Sequence, residues 1–320
     1  MKNQSPKIVF WGTPEFATPS LEALFKNGHN VVSVVTNPDE PAGRKNVLTS
    51  PPVKVWAEKN NIPVLQPDNL KSDFQREIRL PRADIYIVAA YGKLIPKEIL
   101  ENPKYGALNI HPSLLPRWRG PSPIQYTILY GDKEAGVTIM KMDERMDHGP
   151  AIAASSFQLP ASSKPTYKEV HDKLAKLGAE LLVKILPKWL AGEIKPEAQD
   201  DAKTTYSKIL KKDDGRINWS RPAEEIERMV RAFNPWPGTW TIWPTDTKII
   251  RLRIEKADWI EDEPPLGSPG FVWQNSAFPL LIKTGKGSLS VNTLTLESKK
   301  ALAAKDFIRG HPRIIGTTLI

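Results

Sequence analysis

Lys7-Ile8-Val9-Phe10-Trp11, followed by Gly12-Thr13-Pro14, decides the fold. Four apolar residues in a row, without alternation, read as a buried first strand. Gly12-Thr13-Pro14 turns that strand into a helix, with Thr13 suited to cap it and Pro14 to its first position. The helix carries Phe16, Leu21, Leu24 and Phe25. A second strand is expected over Val31–Val35, then a polar loop over 37–50 rich in Pro, Gly and Lys/Arg. A helix at Val53–Lys59, a strand at Ile62–Leu65, a helix at Leu70–Ile78 and a strand at Ile85–Ala90 follow. Strands alternating with helices specify an α/β domain built on a parallel sheet.

Farther along, Ala107–His111 reads as the next strand. It delivers Asn109 and His111 at its C-terminal end, where open α/β sheets hold ligands. Two residues apart on a strand, the two side chains point the same way. Another strand over Val137–Met142 ends at a loop holding Asp143 and Asp147. From Tyr167 a helix presents Val170, Leu174, Leu177, Leu181 and Ile185 as a core stripe, and Pro187 and Gly192 end or bend it. Residues 1–190 are therefore expected as one domain and 191–206 as a linker. Residues 207–320 form a second domain, with a helix at Pro222–Arg231 and short strands at Lys248–Ile254, Gly270–Trp273, Leu280–Ile282 and Ser288–Val291. Short strands at that spacing suggest a small barrel or sandwich.

The 320 residues are 40% hydrophobic, enough for real cores. No apolar run reaches the ~18 residues of a membrane span. The start, MKNQSPKIVFWG, lacks the order of a signal peptide. With no cysteine, disulfide frameworks, thiolate metal sites and cysteine nucleophiles are excluded. A cytoplasmic protein without membrane association, acting as a monomer, is the expectation. The net charge of +9 favours an anionic partner, nucleic acid above all. Roughly half of the basic excess lies beyond residue 201, in well under half of the length.

Asn109, His111 and Asp147 offer an amide, an imidazole and a carboxylate. The amide can donate to an oxygen that gains charge, the imidazole can move a proton near neutrality, and the carboxylate can hold an imidazolium. Each also has a plain structural reading: a satisfied core histidine, an acidic surface turn. Gly12-Thr13-Pro14 is not G-x-G-x-x-G, which disfavours a nicotinamide enzyme. No metal-ligand spacing is present, so no metal site is assigned. His111 opens Pro-Ser113-Leu114-Leu115-Pro116, whose prolines stiffen a turn able to offer backbone groups and an apolar wall to a flat ligand. Arg44 and Lys45 in the long loop could meet phosphate, or could simply be solvated. Asn234-Pro-Trp236-Pro-Gly238-Thr-Trp240 could stack on bases, but reads better as a packed corner.

GALNIHPSLLPRWRGPSPIQ from Gly106 and GVTIMKMDERMDHGPA from Gly136, with FWGTPEFA from Phe10, resemble the folate-dependent formyltransferases. NPDEPAGR from Asn37 and DGRINW…RAFNPWPGTW from Asp214 are similar to their tRNA-directed branch. The resemblance implies a Rossmann-like formyltransferase domain followed by a small OB-like β-barrel. It implies Asn109, His111 and Asp147 as catalytic residues, with Asp147 orienting His111 and favouring its charged form. It further implies Ser113, Leu114, Leu115 and Pro116 as folate contacts, and a role for Arg44 and Lys45 toward tRNA. The formyl donor would be 10-formyltetrahydrofolate, a co-substrate, and the acceptor methionyl initiator tRNA. Trp11, His148 and Pro150 depart from the family pattern. A sugar-nucleotide or purine-precursor acceptor is the next reading. A noncatalytic tRNA-binding protein is a third, disfavoured by the intact Asn, His and Asp.

Overall fold

The computed structural model describes residues 5–43, 46–70, 82–160, 162–245, 248–261 and 266–320. Most of the helix expected from Leu70, and both Arg44 and Lys45, lie outside the described residues. The chain divides into two compact units. The first comprises Met1–Pro123, Glu134–Gln158 and Val170–Lys208; the second comprises Ile124–Lys133, Leu159–Glu169 and Ile209–Ile320.

In chain order the first part forms β1 (Lys7–Gly12), α1 (Thr18–Lys26), β2 (Asn30–Val35), β3 (Glu40–Ala42), β4 (Val47–Thr49), α2 (Pro52–Lys59), β5 (Val64–Leu65), β6 (Ile85–Ala89), α3 (Lys97–Leu100) and β7 (Ala107–His111). Then come α4 (Pro123–Leu129), β8 (Glu134–Lys141), β9 (Ala151–Gln158) and α5 (Tyr167–Leu190). Seven strands make one sheet in the order β5-β2-β1-β6-β7-β8-β9. β1 lies inside it, parallel to β2 and β6. Val9, Phe10 and Trp11 are fully buried, as an unbroken apolar strand requires.

The sheet is mixed rather than wholly parallel. β8 runs antiparallel to β7, and β9, which the sequence did not announce, runs antiparallel to β8. The reason lies between β7 and β8. Leu115 N donates to Thr138 Oγ1 and Thr138 Oγ1 donates to Ser113 O, holding the turn at the end of β7. The next strand therefore enters from that end and runs back. On one face of β7 the helix α5 comes close at Gly178, where an added methyl would lie 2.8 Å from Ile110 Cγ2. Asn109 and His111, out of phase with Ile110, face the other way.

One local expectation is corrected. Thr13 caps no helix: Pro14 leads into a single 3-10 turn, Glu15–Ala17, before α1, and Thr13 Oγ1 donates instead to Tyr91 O at 3.0 Å. α5 runs through Pro187 and ends at Leu190, just before Gly192. The family-atypical Trp11 packs against Tyr86 and Tyr91, with ring centroids 5.5 and 5.2 Å away. Burial pushes both tyrosines up to about 12.

The second unit is an antiparallel sheet with helices. After α6 (Ala223–Phe233) come β10 (Thr239–Pro244), β11 (Ile249–Ile260), β12 (Val272–Trp273), β13 (Leu281–Lys283), β14 (Ser288–Leu296), β15 (Ala301–Ala303) and α7 (Ala304–Gly310). The order is β10-β11-β14-β13-β12, with β15 on β14. Leu252 and Ile254 of β11 point into a core shared with Ile226, Val230, Trp243, Leu289 and Phe307. The last residues join the open edges: Ile320 exchanges both backbone bonds with Ile242, while Leu319 donates to Gly270 O and Val272 donates to Thr317 O. Closing the ring this way leaves neither β10 nor β12 as a bare edge. No helix among the described residues is long and apolar enough to cross a membrane.

Candidate active site

β7 ends in Asn109 and His111, and the connection from β8 to β9 carries Asp147. The structure brings the three together. Asn109 Nδ2 donates to Asp147 Oδ1 at 3.4 Å, and His111 Nδ1 stands 3.5 Å from the same oxygen. The other carboxylate oxygen accepts from Gly120 N at 2.8 Å. His111 is almost wholly buried, whereas the Asp147 side chain keeps 15% of its surface exposed.

The histidine's proton arrangement follows from its second contact. His111 Nε2 lies 3.0 Å from the backbone oxygen of Trp118. A carbonyl only accepts, so Nε2 carries a hydrogen and donates it. That leaves Nδ1, on the Asp147 side, as the nitrogen that can take up and release a proton. Asn109 likewise has an amide donor that can turn from Asp147 to an incoming oxygen.

Ser113–Pro116 forms the adjoining turn. Ser113 is buried and its hydroxyl donates to Arg117 O at 2.6 Å, so it works inside the turn. Leu114, Leu115 and Pro116 are half-buried, and the Leu115–Pro116 bond is cis. Beyond them Arg117 lies over the Trp118 ring, 4.2 Å from its centroid.

Three supporting groups were not legible in advance. Arg119 is buried, donating through Nε to Gln199 Oε1 at 3.0 Å and through a terminal nitrogen to Asp201 Oδ1 at 2.9 Å. Gln199 Nε2 in turn donates to the backbone oxygens of Asp147 (2.9 Å) and Gly149 (2.7 Å). The Arg119 guanidinium beside Asp201 holds that carboxyl below the usual carboxylate range. The buried arginine in Arg117-Trp-Arg119 was the available signal. Gln199 had none, because its partners lie some fifty residues upstream.

Asp147 sits at φ +49°, a left-handed backbone that costs a non-glycine residue on the order of 1 kcal/mol. The turn around it is tied down on several sides. His148 Nδ1 lies 2.6 Å from Asp143 Oδ2, and Asp143 Oδ1 accepts from Arg145 N at 2.9 Å. Gly149 allows the close return to β8, since any side chain there would strike Lys141 O. A cavity of roughly 540 Å3 opens beside this turn, lined by Lys97, Leu100, Gly106, Lys141, Asp143 and Arg145 among others.

A mixed α/β sheet that sets an amide, an imidazole and a carboxylate together is equipped to move a proton and to stabilise an oxygen that gains charge, and a separate antiparallel domain follows it. Residues 6–186 match the formyl transferase family and residues 209–312 match the formyl transferase C-terminal domain. The chain is 42% identical over 307 residues to a methionyl-tRNA formyltransferase of Myxococcus xanthus, covering 96% of this chain and 95% of that protein. It is 41% identical over 310 residues to the methionyl-tRNA formyltransferase of Marinobacter nauticus, covering 97% of each. HypX from Aquifex aeolicus, solved in complex with tetrahydrofolic acid, shares the fold at a TM-score of 0.62 and 18% identity, over 95% of this chain and 47% of that one. The chain belongs to the formyl transferase family, in its methionyl-tRNA formyltransferase branch.

Proposed function

We propose that this chain transfers the formyl group of 10-formyltetrahydrofolate to the amino group of methionyl initiator tRNA. The result is N-formylmethionyl-tRNA for translation initiation in the cytoplasm, and the enzyme acts as a monomer. The observation that carries the chemistry is the shared contact of Asn109 and His111 on Asp147 Oδ1, with His111 Nε2 already committed to Trp118 O. The amine attacks the formyl carbon, and the formyl oxygen takes the negative charge. Asn109 donates to that oxygen as the charge develops. The proton released by the amine passes through His111 Nδ1 to the folate nitrogen, whose bond to the formyl carbon breaks. Asp147 steadies the imidazolium in between.

The Ser113, Leu114, Leu115 and Pro116 turn is the folate-contacting wall. Its rigidity, from two prolines and the Thr138 bonds, supports this role. Residues 207–320 form an OB-like domain that holds tRNA, with Arg44 and Lys45 reaching toward the acceptor end. Support comes from cations beside aromatics on the second unit. The guanidinium of Arg251 lies 3.6 Å from the Trp240 ring centroid and that of Arg216 lies 5.9 Å from it, and Trp236 is exposed. Such surfaces meet backbone phosphate and base faces together.

The test is a competition. Labelled formylfolate is offered with methionyl-tRNA, free methionine and an amino-sugar nucleotide. Label should appear on methionyl-tRNA. Label on the sugar nucleotide would shift the acceptor class, and label on none would remove the enzymatic reading.

A further inference from the structure

The second half of the expected linker 191–206, from Glu197, together with Ser207, is threaded along the turns that carry His111 and Asp147. Glu197 and Ala151 exchange both backbone hydrogen bonds at 2.8 Å, setting the strand just past Gly149. Thr205 Oγ1 accepts from Trp118 N at 2.9 Å and Thr205 O accepts from Arg119 N at 2.9 Å. Ser207 N donates to Arg119 O at 2.7 Å. Thr205 thus fixes the peptide whose oxygen accepts the hydrogen bond from His111 Nε2. Between these anchors, two residues past Glu197, stands Gln199.

We infer that Gln199 is a positioning residue for formyl transfer, fixing the backbone of Asp147 so that its carboxylate meets Asn109 and His111. Two facts about its amide carry the argument. Arg119 has donors only, so Gln199 must present Oε1 to it, and Nε2 is then aimed at the two carbonyls. Those carbonyls, on Asp147 and Gly149, flank His148 and follow directly on the Asp147 Cα held left-handed at φ +49°. One side chain therefore ties the C-terminal half of the turn at two points, while the buried Arg119, itself held by Asp201, keeps that side chain from flipping.

This inference rests on the role assigned to Asp147, and its test separates the two. Gln199→Glu keeps the shape of the side chain and the acceptor facing Arg119, replaces the two donated bonds by an oxygen that cannot donate, and sets a negative charge against the two carbonyls. Gln199→Ala loses everything. Rates are counted per folded, tetrahydrofolate-binding molecule, with thermal unfolding followed in parallel. Both variants should lower kcat roughly 10- to 100-fold, as small displacements of catalytic groups do, with KM for folate and for methionyl-tRNA essentially unchanged. In an Asp147→Asn background the same substitutions should add little, because they act through a carboxylate already gone. Gln199→Glu at the wild-type rate, a loss fully explained by less folded enzyme, or a full multiplicative loss on top of Asp147→Asn would each overturn the proposal. A near-normal rate for Asp147→Asn alone would instead sink the reading of the site.

Discussion

Two loops of the first unit are built on opposite principles. The turn at 143–150 is fixed at nearly every point. Gln199 grips its backbone, Gly120 N holds the Asp147 carboxylate, and His148 pairs with Asp143. The loop after β2 forms a hairpin of two three-residue strands, β3 and β4, with Val47 and Leu48 largely exposed. Its anchor is at the base, where Asp39 accepts from Lys54, Gln66 and Ser50 at 2.8 to 2.9 Å. A proton transfer tolerates little displacement, so its loop is fixed from several directions. Recognition of a large polyanion by scattered contacts needs reach and charge more than fixed atoms. The contrast fits the proposed division, with chemistry at the first loop and acceptor binding at the second.

The largest effect that could break this contrast is at Asn109. Asn109→Ala should lower kcat on the order of 100-fold or more, since its hydrogen bond strengthens as the formyl oxygen gains charge. Tetrahydrofolate affinity, measured by titration, should change far less. Activity within a few-fold of wild type would remove the oxyanion role.

A smaller effect is expected in the hairpin. Arg44→Ala and Leu48→Ser should raise KM for methionyl-tRNA, or lower kcat/KM where the loop positions the acceptor end, with KM for formylfolate unmoved. The tRNA dependence should weaken as salt rises and the folate dependence much less, because only the polyanion releases many counterions. An equal loss toward both substrates would blur the division between the loops.

The smallest effect concerns the anchor of the hairpin. Hydrogen bonds from Lys54 first, then Gln66 and Ser50, pull Asp39 down to about 2. A group whose folded value is depressed stabilises the fold above its unfolded value, and that contribution is lost as pH falls through the folded one. The Tm difference between wild type and Asp39→Asn should therefore be full near neutrality, shrink from about pH 4 downward and vanish near pH 2. A difference that persists unchanged into acid would deny the carboxylate its part.

How far the sequence foretold this arrangement depends on the range of the forces involved. β1 was legible because an unbroken apolar run ends at a glycine–proline turn, and β7 because Leu108 and Ile110 sit in a short segment between Gly106 and Pro112. Asn109 and His111 share a face by strand period alone. β9 was not, since Ala151–Gln158 is an outermost strand of mostly small and polar residues, none of them fully buried. β10 was hidden behind Asn234-Pro-Trp-Pro-Gly238, whose Trp236 is exposed rather than packed as a corner residue. The antiparallel turn of β8 depends on Thr138 holding a loop more than twenty residues earlier. Gln199 is the clearest case: a polar residue in a polar stretch, given its place by a buried arginine and two distant carbonyls.

The central claim is that Asp147, held by its surroundings against Asn109 and His111, serves transfer rather than binding. Single-turnover formyl transfer by Asp147→Asn, with formylfolate and methionyl-tRNA both shown to be bound, tests it directly. The account predicts a rate lower by about 100-fold or more with both ligands still held. A rate within a few-fold of wild type, or a loss traced wholly to unbound folate or tRNA, would contradict it.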